Sequence, residues 1–272
     1  MKSRLTITLP ESLLRAVDDL VDKQTIRNRS HAIEHLIRLG ISPKVHTALI
    51  LAGGKHTGAA HPLMKPIGEQ TLLQQVTQHL IHSGIKHFIF CLQQNNTVLA
   101  QAAKEAVGAS ATCSFSYEKT ELGTAGALKN AQHLLPDDNP FLVLHADILT
   151  DMKIEDICTF HLEQGSQVTM VVQPKLGEKQ YGEVSIQGNR ITTFSKTGAD
   201  SGIRFINTGV YVINYEVLQL IPEKSRSFLE SDIFPQLAKK DTLRAFFFQG
   251  LWFDISGEAQ YKEACKHWLD HA

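Results

Sequence analysis

The pattern of apolar and polar residues divides the chain into two parts. Polar and apolar side chains alternate over residues 4–9, a period of two that is typical of a half-buried strand. Pro10 suits the first turn of a helix, and a second helix is predicted to follow the cap residue Asn28 and to end at Gly40. Residues 1–42 are therefore predicted to form a small domain of one strand and two helices.

From residue 45 onward, short apolar runs alternate with segments of helical periodicity. Unalternating apolar runs are expected of parallel strands that are buried on both faces. These runs lie at residues 47–51, 88–92, 141–144 and 168–172. Helical periodicity lies at residues 72–81, 98–107, 125–135 and 154–161. Residues 45–272 are therefore predicted to form a doubly wound α/β domain that binds its ligands at the carboxyl ends of the strands.

Composition and charge narrow the function classes. The 272 residues include 43% hydrophobic and 20% charged residues, which allows a large core. No apolar run approaches about 18 residues, so neither export nor a membrane partner is expected. Four cysteines without metal-ligand spacing fit buried thiols in a reducing compartment, and the chain is placed in the cytoplasm. Residues 1–44 carry a net charge of +3 within a total of −1, which favours an anionic partner or a solvated basic face.

Residues 1–42 resemble the ribbon-helix-helix family of DNA-binding proteins. The resemblance rests on the alternating strand, the Leu-Pro-Glu turn at residues 9–11 and the start of the second helix. It implies a homodimer or higher homo-oligomer in which two chains pair their strands into a ribbon, because so short a segment buries little apolar surface alone. It also implies contacts to the base edges and phosphates of double-stranded DNA from Arg4, Thr6, Thr8, Asn28, Arg29 and Ser30. The alternative is a segment that serves only for dimerisation.

A series of motifs follows in order along residues 45–272. They are the Gly53-Gly54 turn, Glu118, the Leu-Gly-Thr-Ala-Gly-Ala-Leu run at residues 122–128, Asp147, Tyr181-Gly182, Asn207-Thr208-Gly209, Glu230 with Asp232, and Trp252-Phe253-Asp254-Ile255. Together they resemble the sugar-1-phosphate nucleotidylyltransferases, most closely the mannose-1-phosphate guanylyltransferase-like branch. The resemblance implies a Rossmann-like doubly wound mixed sheet of the nucleotide-diphospho-sugar transferase type.

The chemistry of that family explains the residue types. A sugar phosphate oxygen attacks the α-phosphorus of a nucleotide and pyrophosphate leaves, so the developing charge needs a divalent metal and fixed cations. The resemblance implies that Asp147 and Asp254 hold Mg²⁺ and that Lys196 grips the sugar phosphate. It implies that the nucleotide and sugar are lined by Gly53, Gly54, Glu118, Gly123, Thr124, Asn207 and Glu230.

The phosphate loop departs from the family pattern. The family sequence Gly-Gly-x-Gly-Thr-Arg-Leu is replaced by Gly-Gly-Lys-His-Thr-Gly-Ala at residues 53–59, which places Gly58 at the arginine position. If Pro66-Ile67-Gly68 is the anchor of the shortened segment that follows, Pro62 occupies the position of a second family cation, a lysine, and Lys65 lies three residues later. Lys55 or Lys65 is the candidate replacement, and Lys65 is the one predicted to be catalytic. A milder change puts His145-Ala146-Asp147 where the family has Asn-Gly-Asp.

Loss of a loop cation should cost much of the transition-state stabilisation while leaving binding possible. The main expectation is therefore a ligand-responsive, DNA-binding transcriptional regulator that binds a nucleotide, nucleotide-sugar or sugar phosphate with weakened or lost catalysis. The alternative is an active sugar-1-phosphate nucleotidylyltransferase with an N-terminal dimerisation or autoregulatory domain. A third possibility is a non-catalytic interaction protein with a relic site.

Overall fold

The computed structural model describes residues 6–23, 25–41, 45–54, 58–136, 140–176, 182–195, 203–223 and 225–269. The chain divides into two compact units, Met1–Pro43 and Lys44–Ala272. No helix in these ranges has the length and apolar composition that a membrane crossing needs.

The first unit contains the helices α1 (Glu11–Asp19) and α2 (Arg29–Ile41). Asn28 caps α2, because its side-chain oxygen accepts a 2.9 Å hydrogen bond from the amide of His31. Arg29 joins the two helices through a 2.7 Å hydrogen bond from Nη2 to Asp18 Oδ2. The helix α2 extends one residue beyond its predicted end at Gly40.

Residues 6–10 form no strand pairing within the chain. Thr6 and Thr8 are exposed, and Arg4 lies outside the described residues. A ribbon strand pairs only with a second chain, so the ribbon stays a prediction. The DNA contacts predicted for the first unit gain no support from this structure.

The second unit alternates strands and helices. The strands are β1 (Thr47–Ala52), β2 (Pro66–Ile67), β3 (Gln70–Thr71), β4 (His87–Gln93), β5 (Thr112–Glu118), β6 (Phe141–His145), β7 (Ile148–Thr150), β8 (Val168–Leu176), β9 (Glu183–Gln187), β10 (Arg190–Ser195), β11 (Ile203–Ile213), β12 (Leu243–Phe247) and β13 (Trp252–Asp254). The helices are α3 (Leu72–His82), α4 (Thr97–Val107), α5 (Gly123–Asn130), α6 (Ile154–Gln164), α7 (Phe234–Lys239) and α8 (Glu258–Leu269), with a π-helical turn at Leu229–Ile233.

Nine of these strands form one mixed sheet in the order β5-β4-β1-β6-β11-β8-β12-β10-β9. The first four run parallel, and β11 is antiparallel to both β6 and β8. The predicted mixed, doubly wound fold is therefore confirmed. The prediction that residues 168–172 form a strand with parallel neighbours is half wrong, because β8 is parallel only to β12. A strand buried on both faces is apolar whatever the direction of its neighbours.

Each face of the sheet is covered by helices. Alternate residues of β1 point into different apolar clusters: Ile50 packs with Leu72 of α3 and Leu99 of α4, whereas Leu49 packs with Leu128 of α5 and Phe234 of α7. The helix predicted over residues 125–135 is shorter than expected, since α5 ends at Asn130 and a 3-10 turn follows. This two-sided core leaves the carboxyl ends of the parallel strands open for a site.

Candidate active site

A cleft of about 210 Å³ lies at the carboxyl ends of β1, β5 and β6. Its position agrees with the expectation for an open α/β sheet. The residues that line it are Leu51, Gly53, Gly54, His61, Pro62, Glu118, Glu121, Gly123, Thr124, Ala127, His145, Ala146, Asp147 and Phe228. The cleft therefore brings together the glycine turn, the run at residues 122–128 and Asp147, which the sequence places far apart.

Main-chain pairing places Asp254 beside Asp147. The strands β7 and β13 pair antiparallel with Asp254 opposite Ile148, and the amide of Ile255 donates a 2.8 Å hydrogen bond to the carbonyl of Asp147. No group of three or more His, Cys, Asp or Glu side chains in the described ranges could hold a metal alone. Two carboxylates fit Mg²⁺, which protein sites often bind through one or two carboxylates completed by substrate phosphates and water. They do not fit a closed structural zinc site.

Glu118 is a buried carboxyl group at the cleft, with 3% of its surface exposed. Burial raises the pKa of this carboxyl, and the hydrogen bond from the Leu122 amide to Oε2, 3.1 Å long, opposes that shift. A Cβ atom at Gly53 would lie 3.2 Å from Glu118 Oε1. Gly53 therefore allows the carboxylate to approach the main chain of the glycine turn.

Gly123 has a steric requirement as well as a place in the cleft. Its φ angle is 75°, and a Cβ atom there would lie 2.4 Å from the Ser227 carbonyl oxygen. That carbonyl accepts a 3.0 Å hydrogen bond from the Ala125 amide, and the Ser227 amide donates a 2.8 Å bond to the Leu122 carbonyl. The start of α5 is thus clamped to residues 225–228, of which Phe228 lines the cleft.

A hydrogen-bonded network connects three residues predicted to bind substrate. Glu230 Oε2 accepts a 2.8 Å hydrogen bond from Thr124 Oγ1, and its Oε1 accepts a 3.2 Å bond from the Tyr211 hydroxyl. Asn207 Nδ2 donates to the same hydroxyl at 2.7 Å. Glu230 lies on the π-helical turn, a local irregularity often found at functional sites. Thr124, Asn207 and Glu230 therefore form one polar wall, joined through Tyr211, and of these residues Thr124 lines the cleft.

His145 lies against this wall. Its Nε2 atom is 3.6 Å from Glu230 Oε1, and it is buried without a hydrogen-bond partner among the described residues. The imidazole packs edge-on against the Tyr211 ring, with 5.8 Å between centroids. Gly209, with φ 76°, leaves room for it, because a Cβ there would lie 3.0 Å from His145 Cγ.

Gly58 and Pro62, the residues predicted to stand in for the loop cations, are both described. Pro62 lines the cleft, and Gly58 is not among the lining residues. Gly58 donates its amide to Asn96 Oδ1 at 3.2 Å. Lys65 is not one of the lining residues: its Nζ donates a 2.8 Å hydrogen bond to the Ile255 carbonyl and lies 4.9 Å from the Tyr261 ring centroid. Lys65 thus supports the residue after Asp254, and its catalytic role stays a prediction.

The charge of the cleft is one-sided. Glu118, Glu121 and Asp147 contribute carboxylates, and none of the described residues that line the cleft is Lys or Arg. Lys55 and Lys196, two of the cations predicted at the site, lie outside the described residues. The sequence motifs include none of three residues at the site. Phe228 and Glu121 line the cleft, and Tyr211 packs against His145. Phe228 and Tyr211 each lie within four residues of a motif residue, which is the signal that could have found them.

Comparisons with known proteins show which family the chain resembles. The sequence model of the family described as nucleotidyl transferase matches residues 47–270. Mannose-1-phosphate guanyltransferase beta-B of Xenopus laevis is 32% identical over 238 residues, which cover 81% of this chain and 66% of that protein. The catalytic subunit beta of mannose-1-phosphate guanylyltransferase of Danio rerio is 33% identical over 221 residues, or 76% of this chain and 60% of that protein. The chain thus spans less than two thirds of the length of these relatives.

Solved structures agree on the fold. The crystal structure of HddC from Yersinia pseudotuberculosis superposes with a TM-score of 0.71 at 22% identity, covering 82% of this chain and all of that one. A structure of HddC complexed with GMP-PN gives a TM-score of 0.72 at 21% identity, with the same coverage. The relatives that match most of the chain are named as transferases. The expectation of a DNA-binding regulator with weakened or lost catalysis is therefore wrong, and the alternative of an active transferase is the better supported one.

Proposed function

The chain belongs to the nucleotidyl transferase family, and from that membership we propose that it is an active, Mg²⁺-dependent sugar-1-phosphate nucleotidylyltransferase. It joins a nucleoside triphosphate to a sugar 1-phosphate and releases pyrophosphate. The observation that carries this proposal is the main-chain pairing that holds Asp254 beside Asp147, a residue that lines the cleft. GTP and mannose 1-phosphate, which the names of the relatives suggest, are the first substrates to test.

The proposed reaction is an in-line displacement at the α-phosphorus. An oxygen of the sugar phosphate forms the new bond, the bond between the α- and β-phosphates breaks, and pyrophosphate carries away the electron pair. Asp147 and Asp254 hold Mg²⁺, which supplies positive charge to the phosphates. The amides of Gly53 and Gly54 face the phosphates, since a glycine turn after a strand offers unhindered N–H groups.

The remaining roles divide between two groups of residues, those near the glycine turn and those of the polar wall. Glu118 and Gly123 are proposed to contact the nucleotide, and Thr124, Asn207 and Glu230 the sugar. Their mutual hydrogen bonds hold the polar wall in place before substrate arrives, which lowers the cost of ordering it. Lys196 is proposed to bind the sugar phosphate, although it lies outside the described residues.

The first unit is proposed to join two copies of the chain. Residues 6–41 expose an unusual share of large apolar side chains: Ile7, Leu13, Leu20, Leu36 and Ile37. Large exposed apolar patches mark interaction surfaces. A strand at residues 4–9 would also need a partner for its main chain.

The four cysteines are free thiols, which supports a reducing compartment and hence the cytoplasm.

The test of the activity is pyrophosphate release. Purified full-length protein is incubated with Mg²⁺ and each of GTP, ATP, UTP and CTP, combined with mannose, glucose and galactose 1-phosphates. The proposal expects at least one pair to release pyrophosphate only when both substrates and Mg²⁺ are present. Release that stays at the background of a heat-inactivated sample for every pair would refute it.

A further inference from the structure

The cleft presents an electrostatic problem for a triphosphate. Glu118, Glu121 and Asp147 line it, and the described lining residues include no Lys or Arg. The resemblance places Gly58 and Pro62 where the family has loop cations. Phosphate groups in protein sites are bound by cations and by oriented N–H groups. A described cation that contacts the lining residues is therefore a candidate to bind phosphate here.

Arg226 contacts two of the lining residues. Its Nη2 atom lies 3.1 Å from Glu121 Oε1, and its guanidinium carbon lies 5.3 Å from the centroid of the Phe228 ring. Both Glu121 and Phe228 line the cleft. The guanidinium thus contacts two side chains of the cleft while lying outside the phosphate loop.

The main chain that carries Arg226 is fixed. Ser227, the next residue, is 3% exposed, and its amide and carbonyl both bond to the start of α5. The carboxylate of Asp232 accepts a further 2.8 Å hydrogen bond from the Phe228 amide. Arg226 therefore projects from a rigid segment, which suits a binding group.

The side chain itself is free to change partner. The Arg226 and Glu121 side chains are 58% and 45% exposed. An exposed ion pair contributes little to stability, so exchanging Glu121 for a phosphate oxygen costs little. A guanidinium also binds phosphate through two parallel N–H groups. The cation–π contact with Phe228 keeps the guanidinium beside a lining residue of the cleft while this exchange takes place.

We propose that Arg226 binds the phosphates of the nucleotide and that Glu121 competes with them for the guanidinium. This inference rests on the proposed function for its ligand. Arg226 then supplies one of the positive charges that Gly58 and Pro62 do not provide. The pair makes opposite contributions: removing the arginine weakens nucleotide binding, and neutralising the glutamate strengthens it.

The test is isothermal titration of full-length protein with GTP, ATP, UTP and CTP, each with Mg²⁺. For the nucleotide that binds most tightly, Arg226→Gln should raise Kd by about tenfold or more, the loss expected for one charge-assisted hydrogen bond. Glu121→Gln should lower Kd by about threefold. Arg190→Gln is the matched control. Arg190 also forms an exposed ion pair, with Asp241, and it lies on β10, near the edge of the sheet opposite β5.

Opposite shifts for Arg226→Gln and Glu121→Gln, with Arg190→Gln unchanged, support the exchange, because loss of a structural ion pair would shift both variants in the same direction. Equal Kd values for wild type and Arg226→Gln overturn it, and so does the lack of binding of any nucleotide by wild type. Binding is measured without turnover. Opposite shifts in a protein that releases no pyrophosphate would therefore retain this inference and reject only the proposed activity.

Discussion

The amide of Ile255 donates a 2.8 Å hydrogen bond to the carbonyl oxygen of Asp147. This bond continues the pairing of β7 with β13 by one residue, so it connects the chain beside each of the two aspartates. Main-chain bonds therefore hold the two positions together. A site built in this way should keep its geometry when a carboxylate is changed.

Asp147→Asn and Asp254→Asn should therefore lose activity without losing the fold. Each substitution removes a proposed negative oxygen ligand of Mg²⁺, and we expect a loss of about 10²-fold or more in kcat, as for comparable electrostatic groups. Steady-state pyrophosphate release measures the loss, and circular dichroism checks the fold. Asp156→Asn, which changes an exposed carboxylate in the first turn of α6, is the control. Activity within twofold of wild type in both site variants would remove the metal assignment.

Gly123→Ala should destabilise the second unit far more than Gly165→Ala. Both glycines have positive φ angles, 75° and 59°, but a Cβ at Gly123 would lie 2.4 Å from the Ser227 carbonyl, whereas nothing lies within 4 Å at Gly165. The left-handed conformation alone costs about 1–2 kcal/mol. Thermal denaturation should show the excess at Gly123. Equal melting temperatures for the two variants would contradict the clamp between α5 and residues 225–228.

The sequence predicts the parallel half of the sheet best. The apolar runs at residues 47–51 and 88–92 correspond to β1 and β4 within one residue at each end, because burial on both faces leaves an unbroken apolar run. The strands β9 and β10, at one edge of the sheet, contain exposed polar residues and give no comparable signal. Their pairing depends on contacts with β11 and β12, which lie elsewhere in the sequence.

The site is predictable only in part for a similar reason. Gly53 and Asp147 follow buried strands, and the strand pattern locates them. Glu118 ends β5, a partly buried strand that the apolar pattern does not predict. Arg226 and Glu121 lie about a hundred residues apart, and the bonds between Leu122 and Ser227 bring them together. No local pattern reports such a contact. The position of Lys65 likewise depends on a hydrogen bond to Ile255, 190 residues away.

Glu118→Gln should stabilise the protein at neutral pH and have no effect in acid. The unfolded chain ionises this carboxyl near its ordinary pKa of 4.5, whereas burial raises the pKa in the folded state. Below pH 4.5 both states are protonated and the group contributes no difference. As pH rises above 4.5 the unfolded state ionises first, so stability falls until the pH passes the folded pKa.

Melting temperatures from about pH 4 to pH 8 measure this effect. The gain from Glu118→Gln over wild type should be absent near pH 4 and should grow with pH. Glu105→Gln, at an exposed position on α4, should follow wild type throughout. A constant difference between Glu118→Gln and wild type across the range would show that the carboxyl does not titrate differently in the two states.

Pro62→Lys should tighten nucleotide binding. Pro62 lines the cleft, and a lysine there adds a positive charge beside three carboxylates and the proposed phosphate site. We expect KM for the nucleoside triphosphate to fall by several-fold. Pro66→Lys, at an exposed position outside the lining residues, is the control. A KM that is unchanged by Pro62→Lys would place the phosphates elsewhere.

Leu13→Asp should reduce the oligomeric state of the full-length chain. Leu13 is 54% exposed in α1, and a charge there opposes burial against a second copy. Val98→Asp, at a residue of the second unit that is also 54% exposed, is the matched control. Light scattering after size exclusion should give a smaller mass for Leu13→Asp only. An unchanged mass would count against dimerisation through the first unit.

Transfer of a nucleotide to a sugar phosphate in this cleft is measured directly by product formation from α-³²P-labelled nucleotide. With Mg²⁺ and sugar 1-phosphate, we expect a labelled nucleotide-sugar formed in equal amount to pyrophosphate, at a rate that Asp147→Asn lowers by about 10²-fold or more. A labelled product that forms equally fast with Asp147→Asn, or no labelled nucleotide-sugar from any nucleotide and sugar phosphate, would contradict it.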